Sequence, residues 1–97
     1  MSRVIRQAEF NERIRLIVND TLGREFAVYF EKDNGSLNLS LIRLPEGVDW
    51  TVSTFQEMVG VRDEAHDYLR ENEFTIDGIC LNLENVVLFD DDPHKDD

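Results

Sequence analysis

Asn34-Gly35 lies between two runs that alternate in polarity, and this arrangement leaves the middle of the chain few ways to fold. Phe26, Val28 and Phe30 alternate with Ala27, Tyr29 and Glu31, while Leu37, Leu39 and Leu41 alternate with Asn38, Ser40 and Ile42. A period of two is that of a strand. Asn-Gly is the strongest short-range hairpin signal because both residues accept positive φ. Read as a two-residue turn, Asn34-Gly35 sets Asp33 opposite Ser36, Phe30 opposite Leu39 and Val28 opposite Leu41. Those four apolar side chains then share one face, ready to be covered by a helix. Turn and alternation specify the same register, as burial of one face requires.

The flanking segments predict the cover. From Glu9 to Leu22, Phe10, Ile14, Ile17 and Thr21 recur at three- and four-residue spacing, with Val18 and Leu22 widening the stripe and Arg13 and Arg15 on the wetter side; this predicts a first helix. Gly23 follows as its left-handed C-cap. After the turn Leu44-Pro45-Glu46-Gly47, Val48 to Val52 reads as a short strand. Thr54 with Glu57, or Ser53 with Gln56, offers a capping box for a brief helix from Phe55 to Val59 that Gly60 ends. Asp63 caps a further helix to Asn72, with Ala65, Tyr68 and Leu69 inward. Phe74 to Leu81 and Val86 to Phe89 read as a second hairpin, with Asp77-Gly78 a bulge or a turn. The expected fold is one α+β domain over residues 1–97: an antiparallel sheet of about four to five strands with helices packed on one face. Residues 90–97 read as a frayed acidic tail.

Charge is unevenly placed along this chain. Of 21 acidic residues thirteen lie after Asp49, against three of the ten basic ones, so nearly all of the net charge of −11 belongs to the second half. Such a surface repels nucleic acid and anionic lipid and attracts basic surfaces. Direct nucleic-acid binding is therefore excluded from the reading, because it needs cations that displace phosphate counterions. With apolar residues at 41% the chain is too hydrophobic for a disordered acidic tail and predicts a modest core. No stretch reaches the length of a membrane span, and Met1 to Gln7 leads into no signal core. Cys80 is the single cysteine and cannot pair within the chain. Together these predict an intracellular protein without a membrane anchor. A protein adapted to high salt would share the acidity but spread it over every face.

Residues that could carry chemistry are sparse. His66, Cys80 and His94 match no zinc spacing, and Cys80 between Ile79 and Leu81 reads as a buried thiol. The five glycines belong to turns and helix ends, without a phosphate-cradling fingerprint. Asp90-Asp91-Asp92 lacks the alternating ligands and central glycine of a calcium loop. The reading is therefore a protein without catalytic residues, metal or cofactor. What remains is the acidic helix, with Asp63, Asp67 and Glu71 at i, i+4 and i+8 and Glu64 beside them. Like charges at this spacing weaken a helix slightly, and four residues advance about 6 Å, close to the separation of neighbouring phosphates on a nucleic-acid strand.

By its size, its central stretch Phe26 to Asn72 and the segment Asp63-Glu64-Ala65-His66-Asp67-Tyr68-Leu69-Arg70-Glu71, the chain resembles small acidic inhibitor proteins of phages and mobile elements that imitate DNA, in particular anti-CRISPR proteins of the type I-F class. The resemblance implies a non-catalytic inhibitor, cytoplasmic in a bacterial host, that occludes the DNA-binding channel of a CRISPR surveillance complex. Its partner would be a basic nucleic-acid-binding protein or complex, contacted through Asp63, Glu64, Asp67, Tyr68, Glu71 and Glu73. Tyr68, Trp50 and Tyr29 are the candidates for an apolar anchor, since acids alone are costly to desolvate. The competing reading is a small interaction or phage adaptor protein whose basic partner is not a nucleic-acid machine.

Overall fold

The computed structural model describes residues 2–78 and 82–94. Strands β1 (Arg3–Phe10), β2 (Arg13–Asn19), β3 (Glu25–Asp33) and β4 (Ser36–Arg43) form an antiparallel meander. Helix α1 (Val52–Glu71) crosses one face of it, and two short strands, β5 (Ile76–Gly78) and β6 (Val86–Val87), complete a six-stranded sheet. The fold is the expected α+β arrangement, one sheet with helical cover on one face, reached by a different assignment of the ends.

The expected helix from Glu9 to Leu22 is instead the hairpin of β1 and β2, turning at Asn11-Glu12. Ile14, Leu16 and Val18 face the helix and are fully buried, whereas Arg13, Arg15, Ile17 and Asn19 take the opposite face. Overlapping sets of apolar residues satisfy the two periods, but Ile14, Ile17, Val18 and Thr21 are β-branched and lose side-chain freedom in a helix. The neighbour decides between them. Residues 26–30 of β3 are all buried, so β3 is a central strand that needs a partner on each side, and β2 supplies one. Gly23 caps no helix. It sits at φ +79° in the β2–β3 turn, where the Asp20 carboxylate accepts from the backbone N–H of Leu22 and of Arg24, each at 2.9 Å.

The β3–β4 hairpin turns at Asn34-Gly35 as expected, with Phe30 opposite Leu39, but its register changes one residue later. A bulge sets Tyr29 against Leu41 and Val28 against Ile42, leaving Ser40 without a partner. Leu41 thus leaves the expected core face and packs with Ile17, Ala27 and Tyr29 on the other side, and Ile42 takes its place. Strict alternation would have left one of two adjacent apolar residues in the wrong environment; the extra residue uses both.

Helix α1 replaces the two helices expected around Gly60, and of the strand expected from Val48 to Val52 it takes Val52 while residues 48–51 form no strand. Its N-cap is Thr51, whose hydroxyl accepts from Thr54 N–H at 3.1 Å, so neither Thr54 nor Asp63 caps and both lie inside the helix. Glu57, released from capping, instead accepts from the Thr21 hydroxyl on the β2–β3 turn. Gly60 is carried in mid-helix because Thr54, Met58, Val61, Ala65 and Leu69 form a continuous buried stripe on both sides of it. At the C-terminus Glu73 N–H donates to Arg70 O at 3.1 Å and Phe74 N–H to Leu69 O at 3.0 Å, a Schellman ending with Glu73 at φ +69°.

The expected second hairpin does not form. β5 and β6 both run parallel to β4, pairing Leu37 with Ile76 and Ile42 with Val86, so they lie end to end along one edge. Parallel pairing requires a long crossover, which α1 provides. Expectations for Ile79, Cys80 and Leu81 lie outside the described residues. In the C-terminal segment Asp92 is buried against β3 and β4, on the face away from α1.

Candidate interaction surfaces

Five of the six expected contact residues stand on or beside α1 where solvent reaches them. The stripe from Thr54 to Leu69 faces the sheet, so helix geometry turns Asp63 and Asp67 directly outward and places Glu64 and Glu71 on the flank above β1. Asp63, Asp67, Glu71 and Glu73 are exposed and Glu64 is half-buried. The sixth, Tyr68, belongs partly to the core: its ring packs against the buried cluster and its hydroxyl donates to the Gln7 side chain on β1 at 2.7 Å. The outward row is not purely anionic. Arg62 pairs with Asp63 at 3.1 Å and Arg70 with Asp67 at 3.7 Å. Both pairs are solvent-accessible and contribute little to stability.

The sheet converts the chain's charge asymmetry into two unlike faces. Cross-strand pairing places Arg3 with Asn19, Arg6 with Ile17, Phe10 with Arg13, and Ala27 with Arg43, all on the side away from α1. Arg15 faces the same way, opposite Tyr29. The far side is nevertheless mixed, since Arg6 pairs there with Glu25, Arg43 with the buried Asp92, and Glu31 stands opposite Arg13, whereas on the helix side carboxylates outnumber Arg62 and Arg70.

On that far side the C-terminal segment is held by a buried polar cluster. The Tyr29 hydroxyl donates to Asp92 Oδ2 at 2.8 Å, Arg43 reaches the same oxygen at 3.2 Å, and His94 N–H donates to Asp92 Oδ1 at 2.8 Å. The His94 ring tilts against that of Tyr29, with centroids 5.3 Å apart. Burial, reinforced by the hydrogen bond to the Asp92 carboxylate, pushes the Tyr29 phenol up to about 12. Through Asp92 the cluster fastens the C-terminal segment to β3 and β4. Tyr29, buried here, is not an anchor for a partner.

The third candidate anchor, Trp50, opens a surface that charge and motif reasoning did not reveal. Val52, Leu83, Phe55 and Trp50 are 77%, 65%, 45% and 40% exposed, and they adjoin one another. Trp50 and Phe55 meet edge-on with centroids 5.8 Å apart. They line a hollow of about 490 Å³ that shares Trp50 and Leu83 with a second of about 310 Å³ ending on Val86, Val87 and Leu88. The one signal in the sequence is that Val52 and Phe55 fall off the buried helical stripe, which is visible only once α1 is known to begin at Val52.

Among the described residues no group of three or more His, Cys, Asp or Glu is placed to hold a metal ion, and no helix is long and apolar enough to cross a membrane. His66 lies 3.6 Å from Asp67 on the helix surface, far in the fold from His94 under the sheet. Comparisons with protein-family models, with curated proteins and with solved structures find no match to this chain.

Proposed function

We propose that this chain is a non-catalytic binding protein that presses the helix side of its fold against a cationic protein surface. The imbalance between the two faces supports this reading: Asp63, Glu64, Asp67, Glu71 and Glu73 outnumber Arg62 and Arg70 on the helix side, whereas arginines on the far side are matched by Glu25 and Asp92. Rigidity adds to it, because five buried residues fix α1 from beneath and hold the carboxylates in place before contact. An Arg-bearing partner would meet Glu64, Glu71 and Glu73 directly and compete with Arg62 and Arg70 for Asp63 and Asp67.

In the narrower form of this proposal the partner is a nucleic-acid-binding complex, such as a CRISPR surveillance complex, whose DNA channel the helix occupies. The advance of about 6 Å along α1 from Asp63 to Asp67 favours this form, whereas the interleaved Arg62 and Arg70 favour a partner with mixed charge. One experiment tests both. The chain is used as bait against a lysate of its source cell, with and without added duplex DNA, alongside the Asp67→Lys, Glu71→Lys double variant. The expected result is a basic partner that the double variant retains at least about tenfold less well. Displacement by DNA supports the narrower form, and simultaneous binding of chain and DNA overturns it. Equal retention by the double variant overturns the assignment of the contact to α1.

A further inference from the structure

We propose that the groove between the start of α1 and the turn at Leu83–Asn85 is a docking site for a partner segment whose apolar residues are followed directly by Lys or Arg. The proposal rests on the reading that this chain binds a cationic partner, and it names the anchor which carboxylates alone do not supply. Hydrophobic residues exposed singly need no explanation, but a contiguous cluster on a small domain does. Here two side chains more than three-fifths exposed, Val52 at 77% and Leu83 at 65%, flank two half-exposed aromatics.

The choice of occupant follows from the order of the surfaces. The hollow containing Val52 and Phe55 leads through Trp50 and Leu83 into the hollow that ends on Leu88. Leu88 also borders a third, of about 280 Å³, lined by Asp49, Asp90 and Asp91. Along this line the walls pass from apolar to anionic. A segment with apolar residues at one end and basic residues at the other matches it in one direction only. A simple apolar ligand would gain nothing from the acidic end. A second copy of the chain would bring another net charge of −11 to the same place, and an anionic membrane would be repelled in the same way. A cationic segment is attracted to the acidic end and buries its apolar part where water is least well held.

Trp50 is the only tryptophan of the chain and lies in the middle of the groove, so its fluorescence reports occupancy directly. The probe is a tryptophan-free synthetic peptide in which Leu and Phe are followed by a run of Arg, titrated into the intact protein. A saturable blue shift of Trp50 emission is expected, weakened at least about tenfold by Leu83→Ser or Val52→Ser, since exposed positions tolerate the change without unfolding. Asp90→Asn with Asp91→Asn should weaken it further and reduce its dependence on salt. An absent shift, an equal shift with Glu in place of Arg, or an equal shift with the same residues in scrambled order overturns the proposal. A blue shift that tracks protein concentration without peptide also overturns it, and assigns the groove to a second copy. Asp67→Lys with Glu71→Lys makes the net charge less negative and should weaken the titration less than Leu83→Ser does, the loss shrinking as salt is raised. Should that double variant abolish peptide binding while Leu83→Ser does not, the groove fails and the helix face stands; the reverse pattern in both peptide titration and partner capture leaves the groove standing alone.

Discussion

Glu73 occupies a position that most helices give to glycine. It is the left-handed residue of the Schellman ending of α1, at φ +69°, where a Cβ is crowded by the backbone. Glu73→Gly should therefore stabilise the fold by about 1 kcal/mol, the steric relief exceeding the extra chain entropy of glycine. Thermal unfolding should shift upward by roughly 4–8 °C in a domain of this size. Under the proposed contact through this end of α1, the same variant should bind the partner less well while being more stable. A lower melting temperature would show that the side chain holds the helix end in some other way. Tyr29 gives a second test, with pH as the variable. Its phenol is raised from the ordinary value of 10.0 to about 12, so the folded state holds the proton more tightly than the unfolded state. The associated stability is fully present below pH 10 and is lost as pH rises toward 12, by an amount of order 2 kcal/mol. Denaturant titrations of the wild-type chain and of Tyr29→Phe across this window should show the extra alkaline loss only in the former. Parallel curves would mean that burial and the Asp92 carboxylate together do not raise the phenol.

At the scale of elements, the hairpin was legible because two independent local signals agreed, the Asn34-Gly35 turn and the alternation of its flanks. The segment before it was not legible. Phe10, Ile14, Ile17 and Thr21 fit a helical stripe and Ile14, Leu16 and Val18 fit a strand, and the choice is made by β3, which is buried on both faces and needs β2 beside it. The bulge at Ser40 is likewise tertiary in origin, since it answers the need of the second face for Leu41. Among the candidate contacts, the acidic helix could be read from spacing alone, but the groove could not, because Val52 and Leu83 are far apart in sequence and meet only through the fold. The bulge has a measurable consequence. Leu39→Ala and Ile42→Ala remove side chains from the buried cluster and should each cost roughly 2–5 kcal/mol. Leu41→Ala removes one that is half-exposed on the other face and should cost clearly less. Urea unfolding of the three variants checks the register, because unbroken alternation would exchange the ranks of Leu41 and Ile42.

The whole molecule carries a net charge of −11 on 97 residues, and salt should act on it in two opposite directions. Its folded state gathers like charges along α1 and at Asp90 and Asp91, where compaction brings them closer than in the open chain. Added salt screens this repulsion, the Debye length falling from about 30 Å at 0.01 M to about 8 Å at 0.15 M. The melting temperature should therefore rise over that range. The buried Asp92–Arg43 pair opposes the trend only weakly: the Asp92 side chain is 0% exposed and that of Arg43 11%, so salt screens it much less. Association with a cationic partner relies on the same surface charge, so its rate should fall over the same range. The two measurements together separate a functional acidic face from a high-salt adaptation. Both predict a gain in stability with salt, but only the first predicts a specific cationic partner whose capture is lost as stability is gained. A melting temperature that stays level from low to physiological salt would show that the ion pairs of α1 and the sheet already balance the repulsion. The electrostatic basis assigned to partner binding would then have to rest on local contacts rather than on the field of the molecule.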